Sequence, residues 1–402
     1  MQKKRGAVCI ISFSPVARDA RVLRQIQYLS PHYDLTVIGH GEAHPAWEGM
    51  RGVTWVPTLT DATAEGSPRR LAEKASGLFL LLAGRLYPPA SLRWYWRQPI
   101  MKDALAKAVA SGCDAFHAND WNTLPIAAEA ARRLGGRVVF DDHEYAPLEF
   151  DNHLTWRLLY SPTIRRVVEK YAAAADAMTT VAPAIAERYR REFGLNPLVV
   201  MNAPARSAEP PAKEIDFENI RLIHHGVAMP IRRLELMIEA LALSDRRFSL
   251  YFMLTGGPEY PNYLKKVAGE LAPGRVTFLD PVPVQDVLRR ISEFDVGFYN
   301  LPPVNFVHEV ALPNKFFDFI SAGMPVCIGP SPSMAEIVRS YGLGCVASSF
   351  EPRDVAAALN GLGPEQLAAM QEGARRAARE INAEREMGKL VEVYRRLLPV
   401  EA

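Results

Sequence analysis

The feature that most constrains the fold of this chain is a repeated alternation of short apolar segments with amphipathic segments of helical period. In the first half, strands are predicted at 6–13, 34–39, 53–56, 114–117, 137–141 and 177–181. Helices are predicted between them, including one long helix at about 156–175. Alternating strands and helices with short junctions predict an α/β fold with a parallel, doubly wound sheet.

The alternation restarts after a stretch rich in Pro and Ala at 202–213, which reads as a linker. We therefore predict an N-terminal domain at 1–203 and a second α/β domain at 204–382. A C-terminal helix at about 383–402 could pack back on the first domain. Two such halves predict a ligand cleft between them, because these sheets bind ligands at the carboxyl ends of their strands.

Length and composition limit the kinds of protein that this chain can be. Its 402 residues suit two domains of ordinary size, and its formal charge of +2 gives no global basic field for nucleic acid. The four cysteines are scattered in a way that fits neither a zinc site nor a disulfide framework. No apolar run reaches the length of a signal or membrane segment. We expect a cytoplasmic protein.

The segment 311–326, with the sequence ALPNKFFDFISAGMPV, predicts a turn, an amphipathic helix and a buried strand. Asn314 and Lys315 fall at the helix N-terminus, where free N–H groups and the helix dipole favour an anion. Lys315 adds positive charge for a phosphate, and Asp318 could accept a hydrogen bond from a sugar hydroxyl. Taken alone, the same pattern also describes any helix-to-strand junction of an α/β protein.

Several further short motifs stand along the chain, four in the second half and three in the first. They are HHGVAMPIRRLE at 224–235, LTGG at 254–257, VTFLDPVP at 276–283, FDVG at 294–297, DAR at 19–21, HAND at 117–120 and FDDHE at 140–144. The ordered set resembles the family-4-like (group 1) glycosyltransferases of the GT-B fold, over nearly all of 220–348 and more weakly in the first half. The subgroup it resembles builds bacterial surface polysaccharides. The resemblance implies two Rossmann-like, doubly wound domains that face a central cleft.

The resemblance also implies a donor site for a nucleotide-sugar. Its expected donor-binding residues are Gly226, Arg232, Gly256, Gly257, Pro283, Asn314, Lys315 and Asp318, and its expected catalytic residues are His143, Glu309, Arg232 and Lys315. Chemistry supports this assignment, because a helix N-terminus and two cations can stabilise a leaving pyrophosphate without a metal. Glycines would let the backbone approach the nucleotide closely. The alternative for Arg232 is a solvated helix start.

The chain departs from the family pattern at two places. The family has two acids eight positions apart, and Asp318 matches the second, but Val310 stands at the first and Glu309 is displaced by one residue. Either the loop shifts to bring Glu309 to the sugar, or the role is lost or passes to His308. The arginine that usually follows the first strand of this domain is also missing, which places more of the phosphate binding on Arg232 and Lys315.

In the first domain the resemblance places His143 near the reacting sugar, and we prefer it as a hydrogen-bonding group over a structural histidine. The run 141–144 makes a poor metal site, because neighbouring residues of an extended segment point to opposite faces. Expected residues on the acceptor side are Asp19, Arg21, His117 and Asp120. The alternatives to an acceptor-side role are structural: Asp19 and Arg21 could simply form the first turn of a helix, and Asp120 could be a helix N-cap.

The segment 69–107 combines eight basic residues with only Glu73 and Asp103, and adds the runs LFLLL at 78–82 and WYW at 94–96. Basic residues with Trp and an apolar stripe are typical of an interfacial helix, so contact with an anionic membrane is one interpretation. The alternative is a helical pair that packs on the sheet with its arginines solvated.

We therefore predict a glycosyltransferase that needs no metal or cofactor. It would move a sugar from a UDP- or GDP-linked donor to a saccharide or lipid-linked acceptor, with retention of configuration implied by the resemblance. It would act in the cytoplasm, with the inner face of the membrane as a possible location. The alternatives are a sugar-nucleotide 2-epimerase of the same architecture and a catalytically silent nucleotide-sugar-binding scaffold. Nucleic-acid binding is disfavoured.

Overall fold

The computed structural model describes residues 5–47, 50, 52–59, 68–206 and 213–399, and the side chains of residues 46 and 68–75 are outside this description. Contacts divide the chain into two compact units. Unit 1 contains the chain up to Val200, the segment Asn305–Val307 and the chain from Met387. Unit 2 contains Met201–Val304 and His308–Glu386.

Unit 1 is built on a parallel sheet of seven strands in the order β3-β2-β1-β4-β5-β6-β7. The strands are β1 (Ala7–Pro15), β2 (Asp34–His40), β3 (Val53–Pro57), β4 (Ala115–Asn119), β5 (Arg137–Asp142), β6 (Ala177–Thr180) and β7 (Leu198–Val199). The helices are α1 (Ala20–Leu29), α2 (Pro68–Ala83), α3 (Pro88–Arg97), α4 (Pro99–Ala110), α5 (Leu124–Leu134), α6 (Ser161–Tyr171) and α7 (Pro183–Phe193).

Unit 2 is built on a parallel sheet of six strands in the order β10-β9-β8-β11-β12-β13. The strands are β8 (Ile220–Val227), β9 (Phe248–Thr255), β10 (Val276–Leu279), β11 (Val296–Tyr299), β12 (Val326–Ile328) and β13 (Gly344–Val346). The helices that follow are α8 (Glu235–Leu243), α9 (Glu259–Leu271), α10 (Val287–Ile291), α11 (Phe306–Val310), α12 (Asn314–Ser321), α13 (Pro332–Tyr341), α14 (Pro352–Asn360), α15 (Pro364–Glu380) and the C-terminal α16 (Ala383–Leu397).

Each sheet reverses its strand order once, and this fixes where a ligand is expected. In unit 1 the reversal falls between β1 and β4, and in unit 2 between β8 and β11. Loops leave these two central strands in opposite directions, which opens a crevice at their carboxyl ends. The predicted doubly wound α/β class is confirmed in both units.

The core of unit 1 takes in the C-terminal helix. Side chains of β1, β2 and α1 pack with Met387, Leu390 and Tyr394 of α16. Leu390 is nearly fully buried, and the other two are fully buried. The core of unit 2 lies between its sheet and the helices α8, α9 and α14. Parallel sheets covered on both faces explain why the strands read as continuous apolar runs in the sequence.

The helix predictions differ from the structure in two details. The predicted helical pair at 69–107 is three helices, because Pro88 and Pro99 each start a new helix at its first position. The predicted long helix at 156–175 begins as the π-helical turn Trp156–Tyr160 and continues as α6. Part of the predicted linker, 207–212, lies outside the described residues. None of the described helices is both long and apolar enough to cross a membrane.

Candidate functional site

Lys315 brings a buried amine to the carboxyl edge of the unit-2 sheet. It is the second residue of α12, which begins after Pro313 without a side-chain cap. The residue is 8% exposed, and its Nζ lies 5.6 Å from the centroid of the Tyr299 ring at the end of β11. A Cβ atom on Gly226, near the end of β8, would lie 2.9 Å from the same nitrogen. The amine therefore occupies the reversal point between β8 and β11.

The amine of Lys315 has no hydrogen-bond partner among the described residues. Burial and then the positive charge of Arg232 lower its pKa from 10.5 to about 7, while Asp318 acts in the opposite direction. A buried charge without a partner is costly, and a bound anion would remove that cost. The N-terminus of α12 favours the same sign of ligand. The position suits a phosphate group.

Arg232 supplies the second cation expected at this site. It ends a 3₁₀ turn, Pro230–Arg232, and its Nη1 donates to the carbonyl oxygen of Val227 at 3.2 Å. The next residue, Arg233, has a φ of 48°, and α8 begins only at Glu235. Arg232 thus precedes the helix and is not part of its first turn. Its guanidinium keeps donors for a further acceptor, since a single contact uses one of five N–H groups.

The predicted donor-side glycines follow two neighbouring strands. Gly226 and Gly256 both have a φ of 114°, a conformation that side chains with a Cβ atom rarely adopt. A Cβ atom on Gly257 would lie 2.6 Å from a carboxylate oxygen of Glu259. Pro283 is exposed and follows β10. These residues place bare or rigid backbone along the same edge of the sheet.

The two remaining predicted donor residues flank Lys315 on α12. Asn314 is exposed, and its Oδ1 accepts a hydrogen bond from Asn202 Nδ2 at 3.0 Å. The carboxylate of Asp318 lies 3.6 Å from Nε2 of His225. Burial lowers the pKa of His225 to about 3, so this imidazole is neutral and does not cancel the charge of Asp318. Asp318 is half-buried and is an acceptor on the turn that follows the cation.

Glu309 and Val310 differ in exposure although they are neighbours on α11. Val310 is buried, whereas Glu309 is exposed. Their carbonyl oxygens accept hydrogen bonds from the hydroxyls of Ser331 at 2.9 Å and Ser333 at 2.8 Å, which fixes the end of the helix. Burial and then Arg232 lower the pKa of His308, so this face of α11 lies near that cation. The displaced acid therefore sits on the exposed side of α11.

In unit 1 a buried carboxylate, Asp141, joins the central strands to α1. It accepts hydrogen bonds from Arg21 at 2.7 and 2.6 Å, from Gln25 at 2.6 Å and from Thr179 at 2.5 Å. The third guanidinium nitrogen of Arg21 donates to the carbonyl of Val200 at 2.7 Å. Burial would raise the pKa of Asp141, but Arg21 holds it well below its usual range. This predicted acceptor-side arginine is committed to contacts within unit 1.

His143 lies between two carboxylates beyond the end of β5. Its Nε2 is 3.1 Å from Asp141 and 3.2 Å from Asn119, and its Nδ1 is 3.4 Å from Asp120. Asp120 also accepts the backbone N–H of His143 at 3.2 Å and has a φ of 64°. Burial opposes a charge on His143, but Asp120 and Asp141 outweigh it and raise the pKa to about 9. At neutral pH the ring is a fixed imidazolium.

Three further acids lie near this imidazolium or near its partner Asp120. Burial, followed by repulsion from neighbouring acids, raises the pKa of Glu144 to about 8 and that of Glu149 to about 7. Asp142 is buried, accepts a hydrogen bond from Tyr189 and also has a raised pKa because of burial. Among the described residues, no group of three or more His, Cys, Asp or Glu side chains is arranged to hold a metal ion.

Two other predicted acceptor-side residues have partners inside unit 1. The carboxylate of Asp19 is the N-cap of α1 and accepts from the backbone of Arg21 at 3.0 Å and Val22 at 3.2 Å. His117 is buried, its Nδ1 lies 2.8 Å from the hydroxyl of Tyr394, and the two rings are stacked. Asp120, Asp141 and His143 therefore lie together. Asp19 instead caps α1, and His117 contacts α16.

Some residues of the two sites were not predicted from the sequence. Tyr299 contacts the amine of Lys315 through its ring, and His225 contacts Asp318. Glu144 and Glu149 have pKa values near neutrality because of burial that no local pattern shows. One signal was available: Tyr299 ends the apolar run of β11 and His225 lies near the end of that of β8, and site residues of such sheets collect at the carboxyl ends of strands.

Comparisons with known proteins agree with this architecture. Residues 21–203 match the family model Glycosyltransferase Family 4. The structure of HepE from Anabaena in complex with UDP is similar with a TM-score of 0.70 and 14% identity, over 98% of this chain and 100% of that one. Sucrose-phosphate synthase from Thermosynechococcus elongatus has a TM-score of 0.71 and 12% identity, over 99% and 100%. A glycosyltransferase from Rickettsia africae gives 0.68 and 10%, over 99% and 100%. A search of curated proteins found no match.

The class of the protein follows from these findings. Two doubly wound parallel sheets and the structural likenesses define the GT-B fold. The family match shows that the first domain is of a glycosyltransferase type. Residues 21–203 match the Glycosyltransferase Family 4 model, and the whole chain has the GT-B fold.

Proposed function

We propose that the chain transfers a sugar from a UDP-linked donor to a saccharide or lipid-linked acceptor, with retention of configuration and without a metal. The observation that carries the proposal is the buried amine of Lys315, which has no hydrogen-bond partner among the described residues and stands at the reversal point of the unit-2 sheet. A positive charge there is costly unless a ligand supplies the opposite charge. A diphosphate supplies it.

The chemistry of sugar transfer explains why two cations at the donor site favour the reaction. When the bond between the sugar and the diphosphate breaks, negative charge grows on the leaving phosphate. Lys315 and Arg232 are fixed before the reaction, so they stabilise this charge with little reorganisation. The N-terminus of α12 contributes in the same direction. In a retaining reaction of this kind the leaving phosphate itself accepts the proton of the acceptor, and no strong protein base is required.

The choice of UDP rests on the similarity to HepE and on the residues at the carboxyl edge of the unit-2 sheet. HepE from Anabaena has been solved with UDP and with UDP-glucose. In this chain Gly226 has no Cβ atom to fill the space beside the amine of Lys315, and Asp318, on the next turn of α12, could accept a hydrogen bond from a ribose hydroxyl. A GDP-linked donor is the competing choice. All four cysteines are free, which fits a cytoplasmic enzyme. A role in bacterial surface-glycan synthesis rests on the sequence resemblance.

In unit 1 we assign His143 to the binding of a substrate oxygen. A ring held between two carboxylates with a pKa of about 9 is a hydrogen-bond donor at neutral pH and a poor base. In unit 2 we assign Glu309 to the donor sugar, because it is exposed on the helix whose His308 lies near Arg232. Val310 cannot take this role, since its side chain is buried and apolar.

Two observations favour the competing functions. Val310 in place of the first family acid fits a scaffold that binds donor without turnover. Glu144 and Glu149, with pKa values of about 8 and 7, could exchange protons at neutral pH, as a 2-epimerase requires. Proton NMR of UDP-sugars incubated without acceptor separates these cases. A new epimer indicates the epimerase, and binding without conversion, even with acceptors present, indicates the scaffold.

The first test is donor binding by thermal shift and calorimetry with UDP-, GDP-, dTDP- and CMP-sugars. We expect selective binding of the UDP-sugar, with the affinity reduced roughly 10- to 150-fold in Lys315→Met and also reduced in Arg232→Met. Lys389→Met is the matched control, since this partly buried amine donates to the carbonyl of Val199 at 3.2 Å. Equal binding by wild type and Lys315→Met would remove the basis of the proposal. The anomeric proton coupling of the product then tests retention.

A further inference from the structure

Unit 1 exposes an unusual amount of apolar surface on one group of elements. Nearly half of the large apolar side chains that are exposed in the described part of the chain lie within residues 78–87 and 150–160. Leu86, in the turn between α2 and α3, is 94% exposed, and Phe79 on α2 is 68% exposed. We call these side chains and their basic neighbours the basic–apolar face. It comprises Leu78, Phe79, Leu82, Arg85, Leu86, Tyr87, Arg97, Leu154, Arg157 and Leu158.

The elements that carry this face are packed against each other. Helix α2 contacts α3 and the π-helical turn Trp156–Tyr160. The ring of Trp94 on α3 lies 6.0 Å from that of Tyr160, and a Cβ atom on Gly77 of α2 would lie 3.9 Å from Trp94. Arg97 donates from Nη1 to the hydroxyl of Ser76 at 2.6 Å, which ties α3 to α2 again. The exposed apolar side chains therefore belong to one surface of unit 1.

The charges on this surface have one sign. Residues 76–102 contain no Asp or Glu, and the same holds for residues 152–168. Arg85, Arg97 and Arg157 are exposed. Of the acids that flank these two segments, Asp103 already accepts from Lys107 at 2.7 Å and from Thr58 at 3.0 Å, Glu169 accepts from Arg166 at 2.9 Å, and Asp151 is half-buried. The side chains of Arg69, Arg70, Glu73 and Lys74 lie outside the described ones.

We propose that the basic–apolar face docks on an anionic lipid bilayer. Exposed apolar side chains on a stable fold mark a surface that is covered in its working state. Arginines among leucines, with Trp and Tyr rings beside them, match the boundary between anionic headgroups and acyl chains. A surface that presents only positive charge over two segments fits a partner with negative charge everywhere, and a bilayer of anionic lipid has that property. The proposal does not depend on the donor site in unit 2.

The test is cosedimentation of the full chain with vesicles of phosphatidylcholine alone or mixed with phosphatidylglycerol. We expect binding to the mixed vesicles only, and weakening by salt. Arg85→Glu/Arg97→Glu/Arg157→Glu should reduce the partition coefficient by roughly a hundredfold or more, since each arginine near an anionic surface contributes appreciably. Phe79→Ser/Leu86→Ser should reduce it by roughly tenfold or more through lost apolar burial.

Matched variants in unit 2 control for charge and hydrophobicity. Leu243→Ser/Val284→Ser removes side chains of comparable exposure, at 59% and 88%. Arg246→Glu/Arg289→Glu/Arg353→Glu repeats the charge change at other exposed positions. Both controls should bind vesicles almost as well as wild type. Equal losses in the test and control variants, or no binding to anionic vesicles by wild type, overturn the proposal and leave an acidic protein as the occupant of this face.

The depth to which a side chain enters the bilayer is a second measurement, and a folding defect would not produce the same result. In Phe79→Trp the indole should be quenched by lipids brominated on the acyl chain, whereas an indole in Leu243→Trp should not be. An unchanged melting temperature and unchanged UDP binding in the face variants show that the fold is intact. Quenching at neither position contradicts insertion of this face even if the chain cosediments.

Discussion

Replacing Lys315 with methionine is expected to stabilise the free protein while it weakens donor binding. Methionine keeps the length and most of the packing of the lysine stem but carries no charge. In the free protein the amine is buried and has no hydrogen-bond partner among the described residues, so its removal relieves a cost. In the complex the same amine meets a phosphate, so its removal takes away an attraction. One substitution therefore changes two free energies in opposite directions.

The pH dependence of the stability follows from the pKa of Lys315, about 7 in the folded protein against 10.5 ordinarily. Between these values the unfolded chain binds more protons than the folded one, so the free energy of unfolding rises with pH. The cost is fully present below pH 7 and vanishes as the pH approaches 10.5. A shift of this size corresponds to at most about 5 kcal/mol, and buried unpaired polar groups in proteins typically cost about 1–3 kcal/mol.

We therefore expect Lys315→Met to raise the free energy of unfolding by about 1–3 kcal/mol at pH 6 and to lose this advantage near pH 10. Urea denaturation at several pH values measures this difference directly. The control Lys389→Met removes an amine that donates to a carbonyl, and we expect it to leave the protein no more stable than wild type at any pH.

Donor binding gives the second half of the test. Loss of a hydrogen bond to a charged group costs about 1.5–3 kcal/mol, so UDP should bind the variant roughly 10- to 150-fold more weakly. In wild type the affinity should fall about tenfold per pH unit above 7, because only the protonated amine attracts phosphate. Calorimetry at pH 8 in buffers of different ionisation enthalpy should show proton uptake on binding. A destabilised variant with unchanged UDP affinity would refute the reasoning.

Three other substitutions test contacts on which the two sites depend. Gly226→Ala should cost about 1–3 kcal/mol of stability, measured in urea, and weaken UDP binding, because its φ is 114° and the new Cβ atom would meet the lysine amine. Asp141→Asn should cost about 3–5 kcal/mol in the same assay, because it leaves Arg21 buried without its counter-charge. Asp120→Asn should lower the pKa of His143 from about 9, measured by NMR titration. The stability that the raised His143 pKa provides is complete below pH 6.5 and is lost as the pH rises through about 9, so the variant should match wild type above that pH.

The class of fold could be predicted from the sequence because each element carries its own local signal. Short apolar runs alternate with helical periods, and prolines or glycines stand at many junctions, so strands such as β8 and β11 appear without tertiary information. The errors fell where local signals compete. Pro88 and Pro99 begin new helices within one continuous helical pattern. Trp156–Tyr160 adopts a π-helical turn that has no pattern of its own.

The site could be predicted only in part, because burial and pairing are properties of the tertiary structure. The pattern placed Lys315 at a helix start, but nothing in it showed that the amine would be buried over the ring of Tyr299. Arg21 and Asp141 are 120 residues apart in sequence and meet at 2.6 Å, which no local reading can anticipate. The family spacing singled out Val310, yet only the structure shows its side chain buried and that of Glu309 exposed.

The two units share a strand order but use buried charge in different ways. At the reversal point of unit 1, the charge of Asp141 is balanced by Arg21 and His143, so this carboxylate needs no ligand of opposite charge. At the reversal point of unit 2, the described contacts of Lys315 include a ring and a distant acid but no hydrogen-bond acceptor. A buried charge that is paired within the protein needs no ligand, whereas a buried charge without a partner favours the binding of a ligand of opposite sign. The reversal points of two similar sheets therefore hold different kinds of group, an ion-paired carboxylate, Asp141, in unit 1 and the proposed phosphate site at Lys315 in unit 2.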